Sequence, residues 1–82
     1  MRLLFFGKLG DAAGGREHNF ELPEDVSTIT ELIKTLSDEN PALGAAIAGT
    51  CVQFVVNNNI VTSDAAISNG DEIGFLPPVS GG

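Results

Sequence analysis

The sequence predicts a single α+β domain in which one main helix packs across one face of a mixed sheet of about five strands. Two patterns predict it. Short apolar or alternating segments, typical of strands, lie near both ends of the chain, and one amphipathic helical stretch lies between them. With 82 residues, the chain can build one hydrophobic core. We therefore expect the domain to occupy residues 1–76 and an extended C-terminal tail to occupy residues 77–82.

Two strands are predicted before the helix. Residues 2–6 form an apolar run whose shortness and aromatic content favour a buried strand. The glycine-rich residues 7–16 predict a loop with at most one helical turn, around residues 8–13. Residues 17–22 alternate in part and stop at Pro23, which predicts an edge strand paired with the first strand as a hairpin.

The main helix is predicted to begin after Thr28. Its apolar side chains recur at helical spacing, at Ile29, Leu32, Ile33 and Leu36. Thr28 and Glu31 have the spacing of a capping box. The helix must end before Pro41, because a proline pushes the preceding residue out of the α region. Asn40 as a cap and Pro41 at the first position predict a second short helix over residues 41–48.

Three strands are predicted after the helices. Residues 52–56 are mostly β-branched, and residues 57–59 are three asparagines, which tolerate the left-handed dihedrals of a turn. Residues 60–61 return as a short strand. After a turn at residues 69–70, the last strand covers residues 72–76. Strand, strand, helix and three further strands is the order of elements in the β-grasp fold.

Strand alternation divides the predicted sheet into two faces. The side chains expected to face the helix are Leu3, Phe5, Phe54, Val56, Ile73 and Phe75. Those expected on the opposite face are Leu4, Phe6, Val55, Gly74 and Leu76, with Ile60 nearby. A sheet face that meets water normally alternates with polar residues, so this second apolar face predicts a docking surface for a partner protein.

Charge and cysteine content narrow the function classes. Four Lys and Arg against eleven Asp and Glu give a net charge of −7, which disfavours nucleic acid and anionic membranes and favours a basic protein surface as partner. The one cysteine, Cys51, has no internal partner for a disulfide, so a reducing compartment, the cytoplasm, is expected. The apolar run at residues 3–6 is too short for a signal peptide or a membrane span.

No constellation of an independent enzyme can be assembled from the side chains. His18 and Cys51 are each the only residue of their type, so they are interpreted as structural or incidental, and no metal site is expected. Residues 7–9 lack the Ser or Thr and the upstream glycine of a phosphate-binding loop. The many carboxylates are interpreted as a solvated acidic face.

The tail is the remaining candidate site. Its sequence is Pro77, Pro78, Val79, Ser80, Gly81 and Gly82. The two prolines stop the strand and direct the tail outward, and the two glycines have no Cβ and can thread a narrow channel. Two glycines alone are a weak signal, and a frayed end is the alternative. The hypothesis is that the terminal carboxylate of Gly82 is the reacting group.

The chain resembles the small subunit of molybdopterin synthase, a family of ubiquitin-like sulfur carriers, over its whole length. The resemblance is carried by Leu3-Leu4-Phe5-Phe6-Gly7-Lys8-Leu9, by Val56-Asn57 and by the stretch from Asn69 through Pro77-Pro78-Val79-Ser80-Gly81-Gly82. It implies that Gly82 is adenylated by an ATP-dependent activating enzyme and converted to a thiocarboxylate. The sulfur would then pass to cyclic pyranopterin monophosphate in the active site of the large subunit, during molybdenum cofactor biosynthesis.

The resemblance also implies partners. They are the large subunit, in a heterotetramer of two small and two large subunits, the activating enzyme and a sulfur donor protein. Phe6, Ile60 and Leu76 would contact the large subunit. The chain would hold no permanent cofactor, since ATP is used by the activating enzyme, and it would have no catalytic activity alone.

Two alternatives stay open. One is a sulfur carrier for another product, such as a thiazole, which a neighbouring gene for the large synthase subunit would disfavour. The other is a ubiquitin-like protein modifier, which would be favoured by finding Gly82 joined to many cellular lysines.

Overall fold

A computed structural model of the protein describes residues 1–49 and 51–78. In those ranges the elements are β1 (Arg2–Phe5), α1 (Lys8–Ala13), β2 (Glu17–Asn19), α2 (Ile29–Glu39), α3 (Pro41–Ala48), β3 (Gln53–Val56), β4 (Asn59–Val61) and β5 (Glu72–Leu76). The predicted order of elements is confirmed. No helix in the described ranges is long and apolar enough to cross a membrane.

The strands form one mixed sheet with the order β2-β1-β5-β3-β4. The last strand, β5, lies at its centre, parallel to β1 and antiparallel to β3. Two hairpins flank this centre, because β2 pairs antiparallel with β1 and β4 with β3. The mixed sheet with helix α2 across one face is a ubiquitin-like β-grasp fold, which confirms the predicted fold class.

The hydrophobic core lies between the sheet and the helices. Leu3, Phe5, Ile73 and Phe75 are at most 2% exposed, and Ile29 and Leu32 of α2 are fully buried against the same cluster. The rings of Phe5 and Phe75 stack with centroids 4.9 Å apart, and Phe54 meets Phe75 edge-on at 5.9 Å. Phe54 and Val56 lie at the margin of the core and are only partly buried. The predicted inner face is therefore confirmed.

Helix α2 begins with the predicted capping box. The backbone N–H of Glu31 donates to Thr28 Oγ1 at 3.3 Å, and the Glu31 carboxylate accepts from the Thr28 N–H at 3.2 Å. The same carboxylate accepts from the Ser27 N–H at 2.9 Å, which is the main reason that the pKa of Glu31 lies below its usual value. At the other end, Asn40 Oδ1 caps the next helix by accepting from the Leu43 N–H at 3.2 Å.

Strand β2 differs most in extent from the prediction, and β1, β3 and β4 differ by one residue each. Strand β2 covers residues 17–19 and not 17–22, because the Leu22 N–H donates to the side chain of Asn69 at 2.8 Å and leaves the edge of the sheet. In the glycine-rich segment, residues 8–13 do form a helix, anchored by Leu9, which is 2% exposed.

The turn between β3 and β4 is made by asparagines in left-handed conformations, as predicted: φ is 49° at Asn57 and 70° at Asn58. The Asn57 side chain donates to Asp71 Oδ1 at 2.9 Å and accepts from the Glu72 N–H at 3.0 Å. These two hydrogen bonds fix the beginning of β5 to the hairpin. The other end of β5 leads into the tail.

Candidate functional site

The candidate site is the outer face of the sheet together with the exit of the chain from β5. The last paired residue on the β3 side is Leu76, opposite Gln53. Pro77 is partly buried, Pro78 is exposed, and both line a shallow groove with Cys51, Val52 and Gln53. A proline has no N–H to continue a ladder, so the pairing ends where the prolines begin.

The four residues that follow, Val79, Ser80, Gly81 and Gly82, lie outside the described residues. The predictions that they thread a narrow channel and that Gly82 reacts stay predictions. The structure describes the point from which they leave the domain.

Cross-strand register assembles an apolar row on the outer face. Leu4 and Val55 are both opposite Gly74, and Ile60 is opposite Val55, so this row crosses four strands. Ile60 is 70% exposed and is the one large apolar side chain among the described residues that is mostly open to solvent. The side chains of Leu4 and Val55 are partly buried. The row is apolar from β1 to the edge strand β4.

Phe6 extends this surface toward the tail. A Cβ built on Gly74 would lie 3.4 Å from Phe6 Cε2 and 3.7 Å from Val55 Cβ. The Phe6 ring therefore lies beside Gly74 near the middle of the sheet, in ordinary contact with the position of a Cβ there. Leu76, partly buried, is the next outward residue of β5. We call Leu4, Phe6, Val55, Ile60 and Leu76 the outer apolar patch.

The opposite end of the outer face is charged. Arg2 is opposite Glu72 across β1 and β5, and its guanidinium lies 3.0 Å from the Glu72 carboxylate and 2.6 Å from that of Glu17. The hydrogen bond to Glu17 raises the pKa of Arg2 above its usual value. The outer face is thus polar where β5 begins and apolar where β5 leads into the tail.

The predicted site residues within the described ranges lie on one surface. Phe6 directly follows β1 and Leu76 ends the adjacent strand β5, both beside the exit of the tail, and Ile60 lies across the sheet on β4. Sequence reasoning placed Leu4 and Val55 on this face but did not include them among the contact residues. It also missed Gly7, which contacts Pro77, because that contact depends on the register of two strands seventy residues apart.

His18 and Cys51 have different surroundings. His18 Nε2 lies 3.1 Å from the carbonyl oxygen of Gly15, and the imidazole meets Phe5 edge-on at 5.7 Å. His18 lies in β2, and these contacts pack its ring against β1 and the residues that precede β2. Cys51 is an exposed free thiol in the groove beside the prolines. Within the described ranges, no group of three or more His, Cys, Asp and Glu residues is arranged to hold a metal ion.

The fold and this surface define a ubiquitin-like domain whose central strand delivers a C-terminal segment beside an apolar patch. The chain belongs to the ThiS family, whose model matches residues 3–82. This agrees with the resemblance to ubiquitin-like sulfur carriers.

Similar curated proteins share one description. The chain is 34% identical over 84 residues to the molybdopterin synthase sulfur carrier subunit of Chlamydomonas reinhardtii, covering 100% of this chain and 98% of the relative. It is 31% identical to that of Dictyostelium discoideum, covering 99% and 94%. It is 27% identical to that of Escherichia coli, covering 100% and 99%.

Two similar solved structures are of SAMP1 proteins. The crystal structure of SAMP1 from Haloferax volcanii matches with a TM-score of 0.80 at 27% identity, covering 100% of this chain and 98% of that one. The solution structure of small archaeal modifier protein 1 from Methanosarcina acetivorans matches with a TM-score of 0.76 at 28% identity, covering 99% and 94%.

Proposed function

We propose that the protein is the sulfur carrier subunit of molybdopterin synthase in molybdenum cofactor biosynthesis. The observation that carries the proposal is the placement of the tail exit at Pro77 beside the outer apolar patch. One surface can then dock on a partner while the tail enters the active site of that partner. The full-length similarity to sulfur carrier subunits from an alga, an amoeba and a bacterium supports it.

The proposed reaction takes place at the carboxylate of Gly82. A carboxylate is a poor electrophile, so an activating enzyme first joins its oxygen to the α-phosphorus of ATP and releases pyrophosphate. A sulfur nucleophile from a donor protein then attacks the acyl carbon, and AMP leaves. When that nucleophile is a persulfide, a thiol next attacks the donor sulfur of its sulfur–sulfur bond and forms a disulfide with it. The new carbon–sulfur bond stays on Gly82 as a thiocarboxylate, which is ionised and nucleophilic at neutral pH. Its sulfur passes to cyclic pyranopterin monophosphate bound by the large subunit.

The tail is suited to delivery. Six residues from Pro77 to Gly82 span at most about 20 Å when extended, which is long enough to enter a pocket of a partner. Gly81 and Gly82 present no Cβ to the channel walls. Ordering the six residues costs on the order of 6 to 12 kcal/mol, so the tail needs help from contacts made by the domain.

The outer apolar patch supplies those contacts. Burying about 400 Å² of apolar surface contributes roughly 10 kcal/mol before the costs of association. We propose that Phe6, Ile60 and Leu76 contact the large subunit, in a heterotetramer of two small and two large subunits. The net charge of −7 favours basic residues at the margin of the partner surface, and the cytoplasm is the proposed compartment.

Intact mass spectrometry tests the activation step. After incubation with the activating enzyme, ATP and a sulfur donor, the mass should change by the replacement of one oxygen with sulfur. Deletion of Gly82 should prevent this change and leave the melting temperature and large-subunit binding largely intact. The proposal fails if the full chain stays unmodified while a control carrier is converted by the same enzymes. Loss of folding on deletion would make the tail structural.

A protein modifier is the second candidate, favoured by the structural match at a TM-score of 0.80 to SAMP1. In this case the adenylated Gly82 would be captured by lysine amines to form isopeptide bonds. Peptide mapping of cellular conjugates would then find Gly82 on many lysines. A carrier for another product, such as a thiazole, would form the thiocarboxylate but would not transfer sulfur in the presence of the large synthase subunit.

A further inference from the structure

The first proline of the tail rests against a residue that has no side chain. A Cβ built on Gly7 would lie 3.0 Å from Pro77 Cγ and 3.9 Å from Pro77 Cδ, so the pyrrolidine ring occupies the space of a side chain at position 7. Parallel pairing sets up this contact, because Phe5 is opposite Phe75 two residues earlier on each strand. Gly7, two residues after the end of β1, thus lies beside Pro77, the residue that follows β5.

Gly7 is held firmly in place. Its φ of 59° and ψ of −135° lie in a region that L-residues with a side chain avoid. On one side, Phe6 donates its N–H to the Phe75 carbonyl at 3.1 Å. On the other side, the Gly7 carbonyl accepts from Gly10 at 3.1 Å, in helix α1. Leu9 buries that helix in the core.

On its other side, Pro77 borders a groove. The groove that it lines with Pro78 includes Cys51, Val52 and Gln53 of the neighbouring chain segment. The ring is therefore placed between Gly7 on the β1 side and the beginning of β3 on the other. Because the pyrrolidine ring includes the backbone nitrogen, a ring that is fixed also fixes the direction in which the backbone continues.

We propose that Gly7 is a positioning residue for sulfur transfer: its missing side chain forms the seat of the Pro77 ring and so sets the direction in which the reactive tail leaves the domain. The inference rests on the proposed carrier function and adds a residue far from Gly82 in sequence. Gly7 itself touches neither substrate nor the reacting atoms. A misplacement of about 1 Å at the reacting group can cost on the order of a hundredfold in rate, so a small change at the seat should be measurable.

Gly7→Ala is the test variant. Its new Cβ would lie 3.0 Å from Pro77 Cγ at a strained φ, so the proline ring or the backbone at residue 7 has to shift by a few tenths of an ångström, and either shift changes the seat. Gly14→Ala is the control for a positive φ without a clash, since Gly14 has φ 83° in the αL region and a Cβ there would meet nothing within 4 Å. Pro77→Ala removes the ring and leaves Gly7 intact, so it remains informative if Gly7→Ala does not fold.

The direction of the tail can be measured without any partner. Residual dipolar couplings of the Cα–Hα bonds at Pro77 and Pro78 should change in Gly7→Ala while that of Phe75 stays the same. Gly14→Ala should leave all three unchanged. In Pro77→Ala the coupling at Pro78 should fall by about twofold or more, as the exit direction becomes less restricted. Unchanged couplings at Pro78 in both Gly7→Ala and Pro77→Ala would overturn the proposal.

Sulfur transfer from thiolated carrier to the large subunit gives the second readout. Gly7→Ala should lower the transfer rate by about tenfold at a temperature where it is fully folded, with Gly14→Ala within about twofold of the unmutated protein. In the Pro77→Ala background, adding Gly7→Ala should cost no more than about twofold. An equal loss in both backgrounds would show that Gly7 does not act through Pro77. If the unmutated protein transfers no sulfur, the carrier proposal fails, while the couplings still decide the role of Gly7.

Discussion

The two faces of the central sheet are both apolar, but only one is covered by the chain itself. On the inner face, Ile73 and Phe75 are fully buried beneath helix α2. On the outer face, Gly74 is covered only by the Phe6 ring and the Val55 side chain, with no helix over them, and Ile60 remains 70% exposed. Hydrophobic alternation identifies a strand but does not say what covers each face. The inner face should therefore determine stability, and the outer face should determine association.

Truncation of Phe75 should have the largest effect on stability. Phe75→Ala removes a ring that stacks on Phe5 and meets Phe54 edge-on, so we expect a loss of about 3 to 5 kcal/mol in the free energy of unfolding. Urea denaturation measures it. The matched variant is Phe6→Ala on the outer face, where the loss should be about 1 kcal/mol, because the ring is only partly buried. If the two variants lose similar free energy of unfolding, the inner face does not determine stability more than the outer face does.

A charge on the outer apolar patch should weaken binding to a partner and change stability little. Ile60→Asp should change the free energy of unfolding by no more than about 0.5 kcal/mol, because the side chain is mostly exposed. Binding to the large subunit, measured by calorimetry, should weaken by about 2 kcal/mol. Asn58→Asp, in the adjacent turn, adds the same charge off the patch and should leave binding unchanged. If both variants bind alike, Ile60 is not a contact residue.

The polar end of the outer face should contribute little to stability. Arg2→Ala removes exposed ion pairs to Glu17 and Glu72, and such pairs are screened by solvent and salt. We expect a slight decrease in melting temperature at low ionic strength that disappears at high salt. A decrease that persists at high salt would indicate packing by the Arg2 side chain.

The smallest effect is expected from the cap of α2. The pKa of Glu31 is lower in the folded protein than its usual 4.5, so its contribution to stability is complete above that pH and is lost as the pH falls through the folded value. Glu31→Gln should remove this part of the acid dependence, as seen by melting temperature against pH. Glu24→Gln, with the same change of charge on an exposed residue, is the control. If the melting temperature depends on pH in the same way in both variants, the lowered pKa of Glu31 does not contribute to the acid dependence of stability.

Local signals accounted for most of the fold. The capping box at Thr28, the proline at position 41 and the asparagine turn at residues 57–59 depend on neighbours within a few residues, and all three were predicted. The length of β2 was not predicted, because it depends on a hydrogen bond from Leu22 to Asn69, 47 residues away. Sequence alone could not reveal this partner.

In the candidate site too, some features follow from local sequence and others depend on residues far apart in the chain. Alternation placed Phe6 and Leu76 on the outer face, and the prolines marked the end of the strand. The contact between Gly7 and Pro77 follows only once β1 and β5 are paired in parallel with a defined register. In that register Phe5 is opposite Phe75 and their rings stack in the core, so packing on the inner face favours the pairing that places Gly7 beside Pro77.

Sulfur transfer can be followed in a single intact-mass experiment. The carrier is first thiolated by the activating enzyme, then mixed with the large subunit and cyclic pyranopterin monophosphate. We expect the mass of one sulfur-for-oxygen replacement to be gained in the first step and lost in the second, as molybdopterin forms. A carrier that gains the sulfur but retains it in the presence of the large subunit and its substrate would contradict the assignment to molybdopterin synthase.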